Sequence, residues 1–167
     1  MYNNEFLKDF MIEIIGKTII YNNKESFVYK IILPSNSVFM RFDKPNKDNN
    51  NSSIVIVDSK KFFLELYNGS LKEIIIDEDE NKKFADANDG FSRGKINPVP
   101  LSEVRYNNKI DYQNGITRNK WLFMNGAVCF PIILLDSTKS AIDYFSKLKY
   151  NNWKINTLYN IYNNVEG

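Results

Sequence analysis

Apolar residues recur at three- and four-residue spacing at the start of the chain. There Phe6, Leu7, Phe10, Met11, Ile14 and Ile15 predict an amphipathic helix that stops at Gly16. The pattern then changes to that of strands. Thr18 to Tyr21, Phe27 to Leu33 and Val38 to Phe42 are rich in β-branched and aromatic residues. Asn22-Asn23-Lys24 and Pro34-Ser35-Asn36 separate them, which predicts a β-meander. The polar run Lys44 to Ser53 reads as a surface loop. Ile54 to Val57 predicts a compact strand, and Ser59 is placed to cap a short helix carrying Phe62, Phe63, Leu66 and Tyr67, closed by Asn68-Gly69. Ile74 to Ile76 reads as a further strand.

In the second half, Phe84, Ala87 and Phe91 share one face of a helix predicted over Glu80 to Phe91. Ser92 to Leu101 is a stiff basic loop, with Arg93 and Lys95 flanking Gly94 and with Pro98 and Pro100 close behind. Val104 to Tyr106 and Ile110 to Tyr112 flank a turn at Asn107-Asn108-Lys109. A second turn at Asn114-Gly115 leads into a helix that Thr117 is placed to cap, with Trp121, Leu122 and Met124 inward and Gly126 as its stop. Val128 to Asp136 is apolar on both faces and predicts a well-covered strand whose early part, at Pro131, lies at an edge or bulge. Thr138 to Lys149 closes as a helix with Ala141, Ile142, Phe145 and Leu148 inward. The tail from Tyr150 carries Trp153, Leu158, Tyr159 and Tyr162 among asparagines, and either packs loosely or meets a partner.

The length of 167 residues suits one domain with a sizeable core. Together the elements predict a single α+β domain with a mixed sheet and flanking helices. Residues 1–76 form an N-terminal elaboration, 77–149 a core and 150–167 a tail. A net charge of +2 is far from the basic balance of a protein whose affinity rests on phosphate neutralisation, so any nucleic-acid contact must be local. The single Cys129 lies in an apolar run, which fits a buried thiol in a reducing compartment, hence a cytoplasmic protein. No apolar stretch is long enough to span a bilayer. With no histidine and one cysteine, His-dependent triads and the usual zinc ligand sets are excluded. The acidic run Asp77-Glu78-Asp79-Glu80 reads as a solvated helix start, and no metal site is assigned to it.

The chemistry-bearing stretch is Asn114-Gly115-Ile116-Thr117-Arg118. A helix that opens onto a glycine turn offers unpaired N–H groups and the positive end of its dipole, and an arginine there adds a fork of donors for an anion such as phosphate. The same residues also make an ordinary hairpin-type turn with one exposed cation. Arg93, Lys95 and Asn97 are the polar groups of the basic loop upstream.

Lys83-Phe84, Ala87, Gly90-Phe91, Gly94, Asn97-Pro98-Val99-Pro100-Leu101 and Val104, followed by Asn114-Gly115, Arg118, Trp121-Leu122, Gly126 and Phe130-Pro131, resemble the plasmid fertility inhibition factor family of the Osa and FiwA type. Two blocks in the expected order and spacing carry more weight than either alone. The resemblance implies a ParB/sulfiredoxin-like fold and a mobile-element-encoded inhibitor of conjugative DNA transfer. Its partner would be a protein of a conjugative type IV secretion system, with DNA as a further ligand. Family members are credited with ATP hydrolysis and DNA cleavage, so the resemblance also implies ATP with Mg as cofactor, an acidic side chain such as Asp111 to hold the ion, and phosphate binding by Arg93, Lys95, Asn97, Gly115, Thr117 and Arg118. The family's turn carries basic or histidine residues between its glycine and arginine. This chain has Ile116 and Thr117 there, which leaves the catalytic residues unassigned. Two other readings remain open: a non-enzymatic protein-binding inhibitor of anti-defence or anti-CRISPR type, using the tail and N-terminal helix against a host defence protein, and a small ParB-like nuclease.

Overall fold

The computed structural model describes residues 11–46, 51–74 and 78–163. Among the described residues nine strands fall into two sheets: β1 (Ile12–Ile20), β2 (Lys24–Ile32), β3 (Ser37–Asp43), β4 (Ser53–Asp58), β5 (Val99–Pro100), β6 (Ser102–Tyr106), β7 (Ile110–Asn114), β8 (Cys129–Leu134) and β9 (Asn156–Thr157). The first sheet has the order β1-β2-β3-β5 and the second β7-β6-β8-β4-β9. The α-helices described beside them are α1 (Ser59–Leu66), α2 (Glu78–Ser92), α3 (Ile116–Met124), α4 (Lys139–Ser146) and α5 (Leu158–Asn163). The α+β class is as expected, and the sheet is divided in two.

β1, β2 and β3 form the antiparallel meander that the sequence predicts. Its first strand overturns the expected N-terminal helix. Phe6, Leu7 and Phe10 lie outside the described residues, but Ile14 and Ile15 belong to β1, and Gly16 marks a bulge in the pairing with β2 at φ +92°. The physical reason is the isoleucine content. β-branched side chains lose little in a strand and fit a pleated, partly buried surface, so pairing with β2 outweighs a three-four spacing that rests partly on these same residues. The strand expected at Ile74 to Ile76 lies mostly outside the described residues, and Ile74 itself is not in a strand.

β8 is the central strand of the second sheet, antiparallel to β4 and parallel to β6. Pro131 faces Ile56 of β4, and the ladder with β6 begins only at Ile132. The proline thus sits where one flank of the strand is still unpaired, the place where a missing N–H costs least. Phe62 and Phe63 of α1 are fully buried and meet Phe130 edge-on or tilted, at centroid distances of 5.6 and 6.0 Å. The cap of α1 is Asp58, whose carboxylate accepts the Lys61 N–H at 3.0 Å. Ser59, expected in that role, is buried and donates to the Ala127 carbonyl at 2.5 Å. A carboxylate one residue earlier satisfies the orphan N–H and frees the hydroxyl for the core.

Cys129 is buried as expected, and burial, followed by the charge of Asp58, pushes its thiol up to about 12. The folded pKa lies above the ordinary 9.0, so this group's contribution to stability is complete below about pH 9 and is lost as pH rises towards 12. A thiol-reactive chromogenic disulfide should therefore leave the native protein unmodified at pH 8 and label it once in urea. Rapid labelling of the native chain would contradict this burial.

The residues that matter most for a site are those joining the sheets. β5 pairs in parallel with β3, Val99 opposite Met40 and Pro100 opposite Arg41. One residue later the chain has left for the second sheet, where Ser102 to Val104 run parallel to Ile132 to Leu134. Leu101 is the crossing residue, buried, with its N–H donating to the Arg41 carbonyl at 2.9 Å. Pro100 has no N–H to extend the ladder, which fits a strand of only two residues.

Candidate functional site

Asn114 ends β7, Gly115 takes a left-handed conformation at φ +91°, and α3 begins at Ile116. Strand, glycine turn and helix follow as the sequence predicts. Gly115 is itself the N-cap, with no side-chain hydrogen bond there, so Thr117 lies inside the first turn and does not cap the helix. A cap must precede the first helical residue, and the glycine turn occupies that place. The helix mouth therefore has no side-chain cap, and of its first-turn N–H groups that of Arg118 donates to the Gly115 carbonyl at 3.1 Å.

The turn is pressed against the crossing segment. The Ser102 hydroxyl donates to the Gly115 carbonyl at 2.8 Å. A Cβ at Gly115 would stand 2.7 Å from Ser102 Oγ and 2.9 Å from Arg118 Nη1, so glycine is required twice over, by conformation and by space. Arg118 folds back onto the crossing, its Nη1 donating to the Pro100 carbonyl at 3.2 Å and to the Leu101 carbonyl at 3.5 Å. Burial lowers the Arg118 guanidinium from its ordinary pKa, the Glu103 carboxylate opposes that shift, and the charge of Arg41 adds to it. Arg41 is the residue that sequence reading missed. Nothing local marks it, because it reaches this place through the long-range pairing of β3 with β5.

Arg41 is incompletely paired. Its Nη1 meets Asp43 at 3.3 Å, while its Nε is enclosed with no hydrogen-bond partner among the described residues. A buried donor left unmade costs about 1–3 kcal/mol, so this end of the site is under-satisfied as it stands.

The other expected residues distribute differently. Arg93 is exposed and holds Asp89 at 2.9 Å. Lys95 lies in the short 3-10 turn Gly94–Ile96 and lines a shallow depression with Thr18, Ile19, Ile20 and Ile96 on the side of β1. Asn97 is half-buried just before β5. Gly115, Arg118 and the Pro100-Leu101 crossing are thus brought together, whereas Arg93 is held in its own ion pair and Lys95 opens onto a separate depression. Asp111 accepts from Gln113 at 3.1 Å and stands opposite Arg105 in the β6–β7 ladder. The carboxylate that acts on Arg118 is Glu103. Among the described residues no group of three or more His, Cys, Asp or Glu side chains could hold a metal ion.

The fold and site define an α+β domain in which a glycine-gated helix mouth and two arginines flank the strand crossing between two sheets. A family model, "Plasmid Fertility inhibition factor", matches residues 54–142, more than half of the chain, and includes the helix mouth and the crossing. The chain belongs to the plasmid fertility inhibition factor family. The fold is similar to the crystal structure of the Oncogenic Suppression Activity Protein, a plasmid fertility inhibition factor, determined as a gold(I) cyanide derivative. That likeness has a TM-score of 0.64 at 18% identity and covers 87% of this chain and 80% of the other. Comparison with curated proteins gives no match. Among the described residues no helix is long and apolar enough to cross a membrane.

Proposed function

We propose that this protein inhibits conjugative DNA transfer from the cytoplasm of a plasmid-bearing cell, acting on a protein of the type IV secretion apparatus, and that it binds a phosphate of nucleotide or DNA at the α3 mouth. The carrying observation is the uncapped, glycine-gated start of α3 with Arg118 beside it. Family membership supports the biological role, and the helix mouth supports the ligand. In this reading Arg118 supplies a charge-assisted fork, and the backbone N–H groups of the first turn donate to the remaining phosphate oxygens. The fold's core is ParB/sulfiredoxin-like in the same reading.

Titration of fluorescent ATP and of a labelled single-stranded oligonucleotide against wild type and Arg118→Ala tests the ligand. Removal of one charge-assisted contact should weaken binding roughly tenfold or more. Wild-type protein that binds neither probe at millimolar concentration would remove the phosphate reading. A mating assay with an Arg118→Ala donor then tells whether inhibition depends on that site. Full inhibition by a variant that no longer binds phosphate would favour inhibition by protein contact alone.

A further inference from the structure

Arg41 lies far in sequence from α3, yet the fold brings its backbone and the Arg118 side chain to the same two residues. The β3–β5 ladder places Arg41 opposite Pro100, and its carbonyl accepts the Leu101 N–H at 2.9 Å. Arg118 reaches the same pair from α3, its Nη1 3.2 Å from the Pro100 carbonyl and 3.5 Å from that of Leu101. Both arginines thus meet the same crossing, and in keeping with that the charge of Arg41 is among the causes that lower Arg118.

Their counter-charges are Asp43 and Glu103, and neither saturates its arginine. Asp43 Oδ1 also accepts from Ser26 Oγ at 2.6 Å, while its contact with Arg41 is longer, at 3.3 Å. A guanidinium carries five donors in a fixed fork. Among the described residues Arg41 uses one of them on Asp43, and its enclosed Nε has no partner. An oxyanion between the two arginines would relieve their mutual repulsion and take up the donors of the fork that Asp43 leaves free.

We propose that Arg41 is the second arm of a two-arginine phosphate clamp across Pro100-Leu101, and that its ligand is the phosphate end of a polyphosphate such as a nucleoside triphosphate. This rests on the phosphate reading of the helix mouth and extends it to a residue on another sheet. The polyphosphate end is favoured over a nucleic-acid backbone by recession. The Arg41 side chain is only 19% exposed, within reach of a small terminal group but not of a backbone lying along the surface.

Calorimetric titration with inorganic tripolyphosphate and, separately, a single-stranded oligothymidylate distinguishes the outcomes in wild type, Arg41→Gln, Arg41→Lys and Arg118→Ala. The expected result is tripolyphosphate binding by wild type, weakened roughly tenfold to a hundredfold in Arg41→Gln and less in Arg41→Lys, which keeps the charge but not the fork. Near-UV circular dichroism checks each fold, and Arg41→Lys carries the test if Arg41→Gln does not fold. Wild-type affinity in both Arg41 variants, with affinity lost in Arg118→Ala, overturns the second arm and leaves the helix-mouth reading standing. Dependence on Arg41 for the oligothymidylate but not for tripolyphosphate overturns the ligand class. No binding of either probe by wild type overturns the clamp together with the reading beneath it.

Discussion

Deleting Asn156 to Gly167 is expected to leave a chain that does not fold cooperatively. The tail closes the domain across both sheets. Asn156 and Thr157 pair with Ile54 and Ser53 at the edge of the second sheet, and the Leu158 N–H donates to the Ser52 carbonyl at 2.9 Å. Four residues on, Tyr162 lies under Lys17 of the first sheet, with the ammonium 4.9 Å from the ring centroid. Leu158 and Tyr162 are each 2% exposed. Truncating one buried side chain of this size typically costs about 2–5 kcal/mol, and losing two approaches the whole stability of an ordinary domain, about 5–15 kcal/mol. Urea denaturation followed by circular dichroism should show a broad, non-cooperative transition for the deletion, and a midpoint lowered by about 3–5 kcal/mol worth of stability for Tyr162→Ala. A deletion variant with the full-length melting temperature would show that the tail is not part of the core.

That packing bears on the protein-contact reading. The sequence leaves the aromatic tail either loosely packed or free for a partner, yet Leu158, Tyr162 and Tyr150 are buried in this chain's own core and Tyr159 remains exposed. The buried side chains of Tyr150, Leu158 and Tyr162 are thus taken up by this chain's own core. Inhibition lost on deleting it would report unfolding, so Tyr159→Ala is the informative variant for partner contact.

The parts of the fold that were legible are those set by local chemistry. The meander follows from β-branched runs between asparagine and proline breaks, and α3 from the glycines at its two ends, Gly115 at φ +91° and Gly126 at φ +90°. The errors in strands and site arise from long-range pairing, and those at the helix caps from competition between neighbouring residues. Ile14 and Ile15 satisfy a helical spacing and a strand alike, and only β2 decides between them. Ser59 and Thr117 carry capping side chains, but a better-placed carboxylate and a glycine turn take those positions. Arg41 was invisible as a site residue because its place depends on β3 meeting β5 more than fifty residues away in sequence. The crossing at Leu101 likewise has no local signature beyond the prolines around it.

Gly115→Ala should be among the most damaging single changes at the site, and comparison with Gly16→Ala isolates the reason. Both glycines have the same backbone need, at φ +91° and +92°. A left-handed conformation costs an alanine about 1–2 kcal/mol, and that is the whole expected penalty at Gly16, where an added Cβ meets nothing within 4 Å. At Gly115 the same atom would lie 2.7 Å from Ser102 Oγ and 3.1 Å from Ser102 Cα, and the second distance involves backbone of β6 that cannot swing away. Overpacking of that kind adds about 1–3 kcal/mol, for a total of roughly 2–5 kcal/mol. The strain must be relieved by moving the turn off β6, which breaks the Ser102 bond to the Gly115 carbonyl and displaces Arg118 from Pro100 and Leu101. Urea midpoints should therefore fall much further for Gly115→Ala than for Gly16→Ala, and phosphate affinity should fall only in the former. Equal losses of stability at the two positions would mean that backbone conformation alone fixes the turn, and that the close approach of helix mouth and crossing strand, on which the arginine pair depends, does not hold in solution.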